Sequence, residues 1–168
     1  MPAKIAKIAP GTIFAIFAGI YYWFPKVTGR RMNEGLGKLH FVTSFITING
    51  VFMPMLIVGV AGMLRRGYDP TAYAANEHLM GMVRMTSWSA WALGLSQLSF
   101  IFNFFLSIVA GKKVSNNPWD ATTLEWSAPS PPPHGNFETV PAVYRGPYEY
   151  NTHDRKDDFF PQNMQAEA

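Results

Sequence analysis

Two long charge-free runs constrain the fold of this chain more than any other feature of its sequence. Residues 41–63 and 85–110 contain no Asp, Glu, Lys or Arg. A helix needs roughly 20 mostly apolar residues to cross the hydrocarbon core of a bilayer. Backbone groups in hydrocarbon must be hydrogen-bonded within their own segment, so each run is predicted to be helical. The sequence therefore predicts at least two membrane-spanning helices.

A third, shorter apolar segment covers residues 8–25 and ends in the aromatic cluster Tyr21, Tyr22 and Trp23. Such a cluster is typical of a helix end at the lipid headgroups. A cleaved signal peptide is the alternative, but no small-residue cleavage site follows the segment. The segment is predicted to span with a tilt or in a thinned bilayer, or to be the remaining part of a longer helix. We therefore expect an all-α membrane protein with about three transmembrane helices, near 8–25, 41–63 and 85–110, within a membrane region 1–110.

The composition changes at Gly111, where a polar, proline-rich tail begins that covers residues 111–168. It includes the run Pro131-Pro132-Pro133, and proline at this density excludes long helices and favours extended segments. Trp119, Trp126, Phe137 and Tyr144 are interspersed among the polar residues. Aromatic residues in an extended tail are predicted to anchor it on a partner surface. A disordered tail is the alternative.

Several function classes are excluded by the residues present. The chain has no cysteine, so it has no disulfide framework and no thiolate site. Its net charge of +3 is not concentrated on one helix face, so no nucleic-acid interface is predicted. The predicted spans carry no carboxylate for a proton relay, and no phosphate-loop, nucleophile-elbow or zinc motif is present. No catalytic residue is therefore predicted in this chain.

The four histidines, His40, His78, His134 and His153, have no helical spacing in common. A haem or copper site normally takes its ligands from rigid, facing helices. Each histidine is therefore interpreted as a structural or solvated residue, and no metal ligand is predicted.

Arg65 and Arg66 form the sharpest local motif, because they follow the second apolar run almost immediately. Paired guanidinium groups at a membrane edge hold carboxylates or phosphates by bidentate hydrogen bonds. Anchoring of the helix end at the headgroups is the alternative. The basic residues of the first loop and the tail start narrowly outnumber those on the opposite side, which places the loop and tail inside. The arginine pair is then predicted to lie on the outer side.

Small and polar residues inside the spans indicate contacts with further helices. Gly11, Ala15 and Gly19 share one face, as do Gly59 and Gly62, and such spacing lets helix backbones approach closely. Polar side chains in hydrocarbon normally face protein partners, and three helices shelter only a few of them. The sequence therefore indicates a larger assembly. The polar residues of the spans are Thr43, Ser44, Thr47, Asn49, Ser96, Gln97, Ser99 and Asn103.

The chain resembles subunit I of the haem-copper cytochrome c oxidases over roughly residues 11–150. Residues 14–26 (FAIFAGIYYWFPK) resemble the second half of that subunit's tenth helix, and residues 36–41 (LGKLHF) the start of its eleventh. Gly62-Met63-Leu64-Arg65-Arg66 resembles the end of the eleventh helix and the following loop. Residues 117–120 (NPWD), 122–126 (TTLEW) and 130–133 (SPPP) are similar to the cytoplasmic tail of bacterial members.

The resemblance implies that the chain corresponds to the last two and a half of twelve helices in the plasma (inner) membrane of a bacterium. It implies that Arg65 and Arg66 hold haem propionates on the outer side and that the tail is cytoplasmic. The expected partners are the remaining subunit I helices on another chain and the other oxidase subunits. The implied function is a share in electron transfer from cytochrome c to O2 with proton pumping.

Departures from the family pattern limit what can be transferred. The family's His-Phe-His haem ligands have no counterpart, because residues 1–10 read MPAKIAKIAP at that place. Leu64 replaces the proline of the family's Met-Pro-Arg-Arg, and the histidine expected after Pro54 is missing. Haem is therefore expected to be contacted only through its propionates, with no metal ligand from this chain. The alternative is a non-catalytic accessory or structural subunit, or a truncated remnant, derived from the oxidase scaffold.

Overall fold

Three long helices form the framework of this computed structural model, which describes residues 2–64, 69, 74–146, 148–149 and 160–165. Helix α1 spans Pro2–Thr28, α2 spans Glu34–Val60 and α3 spans Met80–Ala110, the last preceded by a 3-10 turn at Ala74–Leu79. Among the described residues, Glu34–Val60 and Glu77–Ala110 are long and apolar enough to cross a membrane. The predicted all-α fold with three helices is confirmed.

Helix α2 begins at Glu34, seven residues before the charge-free run, because its start is capped. The Asn33 side chain accepts a hydrogen bond of 3.0 Å from the Leu36 backbone N–H. Such a cap satisfies one of the unpaired donors at a helix N-terminus. One turn further, Lys38 forms an exposed ion pair of 2.8 Å with Glu34. The start of α2 therefore carries an exposed charged pair, and the apolar run follows it.

A two-stranded ribbon follows the ends of α1 and α3. Strand β1 (Arg30–Arg31) pairs antiparallel with β2 (Lys112–Lys113), and Arg30 lies opposite Lys113. Beyond β2, the described tail contains one short 3-10 turn at Leu124–Ser127 and is otherwise irregular. The tail thus contains no long helix in its described part, as its proline content predicts.

Contacts divide the chain into two compact units that do not follow chain order. We call residues 1–18 and 33–105 the helical unit, and residues 19–32 and 106–168 the tail unit. The boundaries fall inside α1 and inside α3. The tail unit therefore includes the last turns of both helices, whereas the composition of the sequence changes only at residue 111.

Aromatic contacts and one close backbone approach organise the helical unit. The Phe17 ring lies 4.6 Å from the His40 ring and 4.8 Å from the Phe100 ring, which joins α1 to both other helices. A Cβ added at Gly50 would lie 2.5 Å from the Ser89 hydroxyl oxygen. Helices α2 and α3 therefore approach closely at a glycine that was not singled out from the sequence.

The small residues that were singled out make no such approach among the described residues. A Cβ added at Gly11 or Gly59 would meet no atom within 4 Å. The neighbour of Gly19 is the Trp23 ring of its own helix. Large apolar side chains along α2 and α3 are exposed, including Ile46, Trp88 and Leu95. These faces are free for lipid or for further helices.

Candidate functional site

The end of α2 is fixed by a left-handed glycine. Gly62 has φ +94°, and its N–H donates to the Gly59 carbonyl at 3.3 Å while the Met63 N–H donates to the Val58 carbonyl at 3.2 Å. This pair of bonds is the Schellman motif, which satisfies the last carbonyls of a helix and stops it. The chain therefore leaves the helix at Gly62, three residues ahead of Arg65 in the sequence.

The predicted propionate-binding residues, Arg65 and Arg66, lie outside the described residues. The described chain reaches Leu64, which is exposed. A helix C-terminus carries partial negative charge, so cations just beyond it are favourably placed. The role of the arginine pair as a propionate clamp stays a prediction.

A buried hydrogen-bonded cluster joins α2 to α3 in the helical unit. His40 is only 2% exposed, and its Nε2 lies 3.2 Å from the Gln97 Oε1. The Gln97 amide nitrogen donates to the Ser44 and Ser96 hydroxyl oxygens at 3.2 Å and 3.0 Å. The two hydroxyls lie 3.0 Å apart. Four side chains from two helices thus bond to one another, and two of them, His40 and Ser44, are buried.

This cluster has the chemistry of a structural link. The Gln97 oxygen accepts, so His40 carries its proton on Nε2 in this arrangement. The rings of Phe17 and Phe100 flank the imidazole at 4.6 Å and 5.3 Å. Among the described residues, no group of three His, Cys, Asp or Glu side chains is arranged to hold a metal ion.

Asn103 makes a second link between the same helices. It is fully buried, its Oδ1 accepts from the Asn33 N–H at 3.0 Å, and its Nδ2 donates to the Asn33 carbonyl at 2.9 Å. The side-chain amide of Asn103 therefore satisfies both the backbone N–H and the backbone carbonyl of Asn33. Because the Asn33 side chain caps α2, Asn103 holds the start of that helix against α3.

In the tail unit, Lys26 is a buried cation that bonds to backbone carbonyls distant in the sequence. The residue is only 6% exposed. Its amine donates to the Ala128 carbonyl at 2.6 Å and to the Asn116 carbonyl at 3.1 Å, and lies 5.1 Å from the Trp126 ring centre. Lys26 follows the apolar stretch of α1. Burial lowers the pKa of this amine, and the nearby Glu125 carboxylate partly opposes that shift.

Two of the four predicted aromatic anchors of the tail, Trp119 and Trp126, bind the end of α1. The Trp119 indole N–H donates to the Tyr22 carbonyl at 3.0 Å, and the two rings stack at 6.1 Å. Trp126 is only 1% exposed and packs edge-on against Tyr22 at 5.1 Å. The surface that these anchors contact belongs to this chain.

The far end of the described tail returns to its beginning through Gln162. The Gln162 side chain accepts from the Leu124 N–H at 2.9 Å and donates to the Arg145 carbonyl at 3.0 Å. Its backbone N–H donates to the Thr122 carbonyl at 3.0 Å. Arg145 in turn donates to the Pro161 carbonyl at 3.0 Å. These bonds close a loop of about forty residues.

Sequence reasoning missed three of these residues, namely Lys26, Asn103 and Gln162. Lys26 was counted only as a topology signal and Asn103 only as a polar residue in a span. Gln162 carried no signal, since its partners are about 20 to 40 positions away in the chain. The direct signal for Asn103 is an amide side chain in an apolar helix, which requires a partner.

The helices and the packed tail define a segment of a helical membrane bundle, and comparison with known proteins identifies the bundle. The family model described as "Cytochrome C and Quinol oxidase polypeptide I" matches residues 7–94. The chain belongs to this family, as its resemblance to oxidase subunit I predicts.

Individual relatives extend the match through the tail. The chain is 44% identical to cytochrome c oxidase subunit 1 of Synechocystis sp. over 83% of its length. It is 39% identical to the alternative cytochrome c oxidase subunit 1 of Bradyrhizobium diazoefficiens over 95% of its length. It is 41% identical to cytochrome c oxidase subunit 1 of Thermostichus vulcanus over 88%. These alignments cover 24%, 27% and 26% of the relatives, so the chain spans about a quarter of their length.

Proposed function

We propose that this chain supplies the C-terminal helices and tail of a cytochrome c oxidase subunit I. In that complex, electrons pass from cytochrome c to O2 and protons are pumped across the plasma (inner) membrane of a bacterium. The observation that carries the proposal is the similarity to subunit 1 proteins across both helices and tail, at 39–44% identity. The remaining subunit I helices and the other oxidase subunits are the proposed partners.

The chain's proposed contribution is packing and charge, with no metal ligation. Haem is the cofactor that the family implies, and when bound it supplies electron transfer and oxygen reduction. The donor set fits its propionates, because two adjacent guanidinium groups match two carboxylates in charge and in fork geometry. Arg65 and Arg66 are the proposed propionate-binding residues, held just beyond the Gly62 stop of α2. The tail is proposed to be cytoplasmic and the arginine pair to be on the outer side.

Haem content of the complex tests this proposal. A tagged full chain is purified with its partners from native membranes, and reduced-minus-oxidised spectra are recorded. We expect haem bands with the natural chain and a loss of at least half of them with Arg65→Ala/Arg66→Ala. Losing bidentate bonds to a buried carboxylate costs about 1.5–3 kcal/mol each, which is enough for that loss. Arg84→Ala, which removes an exposed guanidinium from α3, is the matched control and should keep its haem.

A non-catalytic accessory or structural subunit is the second candidate, favoured by Leu64, which departs from the family's Met-Pro-Arg-Arg pattern. It predicts that the chain co-purifies with membrane proteins but that the double arginine variant leaves haem content and oxygen consumption unchanged. A haem-free complex with the natural chain would reject the oxidase proposal.

A further inference from the structure

The β1–β2 ribbon consists entirely of cations. Its four residues, Arg30, Arg31, Lys112 and Lys113, are called the basic ribbon below. Arg30 lies opposite Lys113 and Arg31 opposite Lys112. Residues directly opposite in an antiparallel pair have Cβ atoms about 4.5–5.5 Å apart, and like charges there are destabilising. Both cross-strand pairs of this two-stranded ribbon are therefore expected to be repulsive.

The backbone holds these cations together despite their repulsion. A Cβ added at Gly111, just before β2, would collide with the Ser107 carbonyl oxygen and lie 3.0 Å from the Arg31 carbonyl oxygen. The Arg30 guanidinium donates to the Gly111 carbonyl at 2.8 Å, and the Val114 N–H donates to the Gly29 carbonyl at 3.2 Å. The strands are thus tied on both sides of the pairing. The cation cluster is a fixed feature of the backbone.

The lysines of the basic ribbon are available to a ligand. Lys112 and Lys113 are both exposed, and within the described part of the chain their amines form no hydrogen bond or ion pair. The Arg31 guanidinium lies over the Trp119 ring at 5.2 Å, which orients it beside the ribbon. The cluster therefore presents oriented positive charge that an external anion can neutralise.

The position of the ribbon identifies the kind of anion. Strand β2 begins two residues after the end of α3, the end of a candidate membrane span. Cations and aromatic residues at such a point lie at the depth of the lipid headgroups. Anionic phospholipids there attract juxtamembrane basic clusters. At this depth, the phosphodiester of the lipid headgroups is the strong anion with the highest local concentration.

We propose that the basic ribbon binds the phosphate of an anionic phospholipid headgroup, with Lys112 and Lys113 as the residues that contact it. Phosphate oxygens accept from ammonium and guanidinium donors, and each face of the ribbon carries one arginine and one lysine. Binding relieves the cross-strand repulsion and secures the start of the tail at the membrane surface. The proposal rests on residues other than the arginine pair, so it does not depend on the haem role proposed above.

Lipid titration of the detergent-solubilised full chain tests the proposal. Native mass spectrometry reports bound dioleoyl-phosphatidylglycerol, with dioleoyl-phosphatidylcholine as the neutral lipid. We expect Lys112→Gln and Lys113→Gln each to weaken phosphatidylglycerol binding about fivefold, in line with the attraction of one basic residue to an anionic surface. The double variant should lose about 25-fold on the same basis.

Two further variants distinguish a specific lipid-binding site from a general effect of positive charge. Lys112→Arg/Lys113→Arg keeps the cations and should bind as the natural chain does. Lys38→Gln removes an exposed cation from the α2 start, where Lys38 pairs with Glu34, and should change binding less than twofold. Circular dichroism checks that the helices stay folded, and the single variants are compared if the double variant loses helix.

Four results of the lipid titration would overturn the proposal. These are equal binding of phosphatidylcholine, an unchanged double variant, equal loss in Lys38→Gln, and displacement of the lipid by an equal concentration of inorganic phosphate. The last would make free phosphate the ligand. Loss of an acidic protein subunit from the native complex, with lipid binding unchanged, would make the ribbon a protein interface and equally reject the lipid site.

Discussion

The helical unit and the tail unit use hydrogen bonds in opposite ways. In the helical unit, the His40 cluster joins α2 to α3 through side chains alone, with Gln97 at its centre. In the tail unit, the side chains of Lys26, Trp119 and Gln162 all bond to backbone groups. The contrast follows from the backbone itself. A helix satisfies its own N–H and C=O groups, whereas an irregular tail leaves them open.

This contrast indicates where each unit is vulnerable. Removing a side chain from the tail unit leaves backbone groups unsatisfied, and a buried group in that state costs about 1–3 kcal/mol. Cross-helix bonds between side chains in membrane proteins average only about 0.6 kcal/mol. The tail unit should therefore be the more sensitive to single polar substitutions, although it contains the less regular structure.

The largest effect is expected for Lys26→Met, which keeps the aliphatic length but removes the amine. The Ala128 and Asn116 carbonyls lose a charged donor, and bonds of that kind are worth about 1.5–3 kcal/mol. We expect the tail to open about 3 kcal/mol more easily, which is roughly a hundredfold in the open population. Limited proteolysis of the full chain measures it, since cleavage follows that population when closing is fast.

Lys38→Met is the matched control for this variant. Lys38 is exposed and its partner is Glu34 on the same helix, a pair worth about 0.3–0.5 kcal/mol. Its cleavage rate should stay within about twofold of the natural chain, which corresponds to that range. A tail as resistant in Lys26→Met as in Lys38→Met would contradict the dependence of the tail unit on backbone-directed bonds.

An intermediate effect is expected for Asn103→Leu, because this is the one link of the helical unit described above that ends on backbone groups. The Asn33 N–H and carbonyl both lose their partner, so we expect a loss of about 2 kcal/mol. Circular dichroism during unfolding in mixed micelles measures it. Asn49→Leu is the control, since that amide bonds only to Phe45 of its own helix. Equal losses in the two variants would remove Asn103 as a special link.

The smallest effect is expected inside the His40 cluster. A double-mutant cycle of Gln97→Leu with Ser44→Ala should give a coupling energy of about 0.6 kcal/mol. A cycle of Gln97→Leu with Thr47→Ala should give almost none, because Thr47 bonds to carbonyls of α2. A coupling above about 1.7 kcal/mol, the highest found in such cycles, would show that polar links in this unit are as strong as those of the tail unit.

The fold was predictable to the extent that it depends on composition. The charge-free runs at 41–63 and 85–110 both lie within helices of the structure apart from the last residues of the first run. Helix α2 starts earlier than its apolar run because Asn33 and Glu34 form a capped polar turn. That start was present in the sequence as an Asn followed by an acidic residue, but a hydropathy argument gives such residues no weight.

The sites were less predictable. The periodicity of a sequence shows which face of a helix a residue lies on, but not which residue it contacts. Ser44, Ser96, Gln97 and Asn103 were recognised as polar residues that need partners, yet nothing in their spacing pairs Gln97 with His40. The contact of Lys26 with Ala128 joins positions 102 residues apart. Such contacts depend on how the tail folds back, which local sequence does not encode. Physical reasoning left the arginine pair open between two roles, and the propionate role that the family resemblance implies stays a prediction.

The left-handed conformation of Gly62 determines where α2 ends and where the following loop begins. A helix advances 1.5 Å and turns 100° with each residue, so a stop moved by three residues would shift the chain about 4.5 Å along the axis and most of a full turn around it. A residue with a Cβ is strained at φ +94°, which makes continuation of the helix relatively more favourable. One glycine thereby sets both the height and the direction at which the chain enters the Arg65-Arg66 segment.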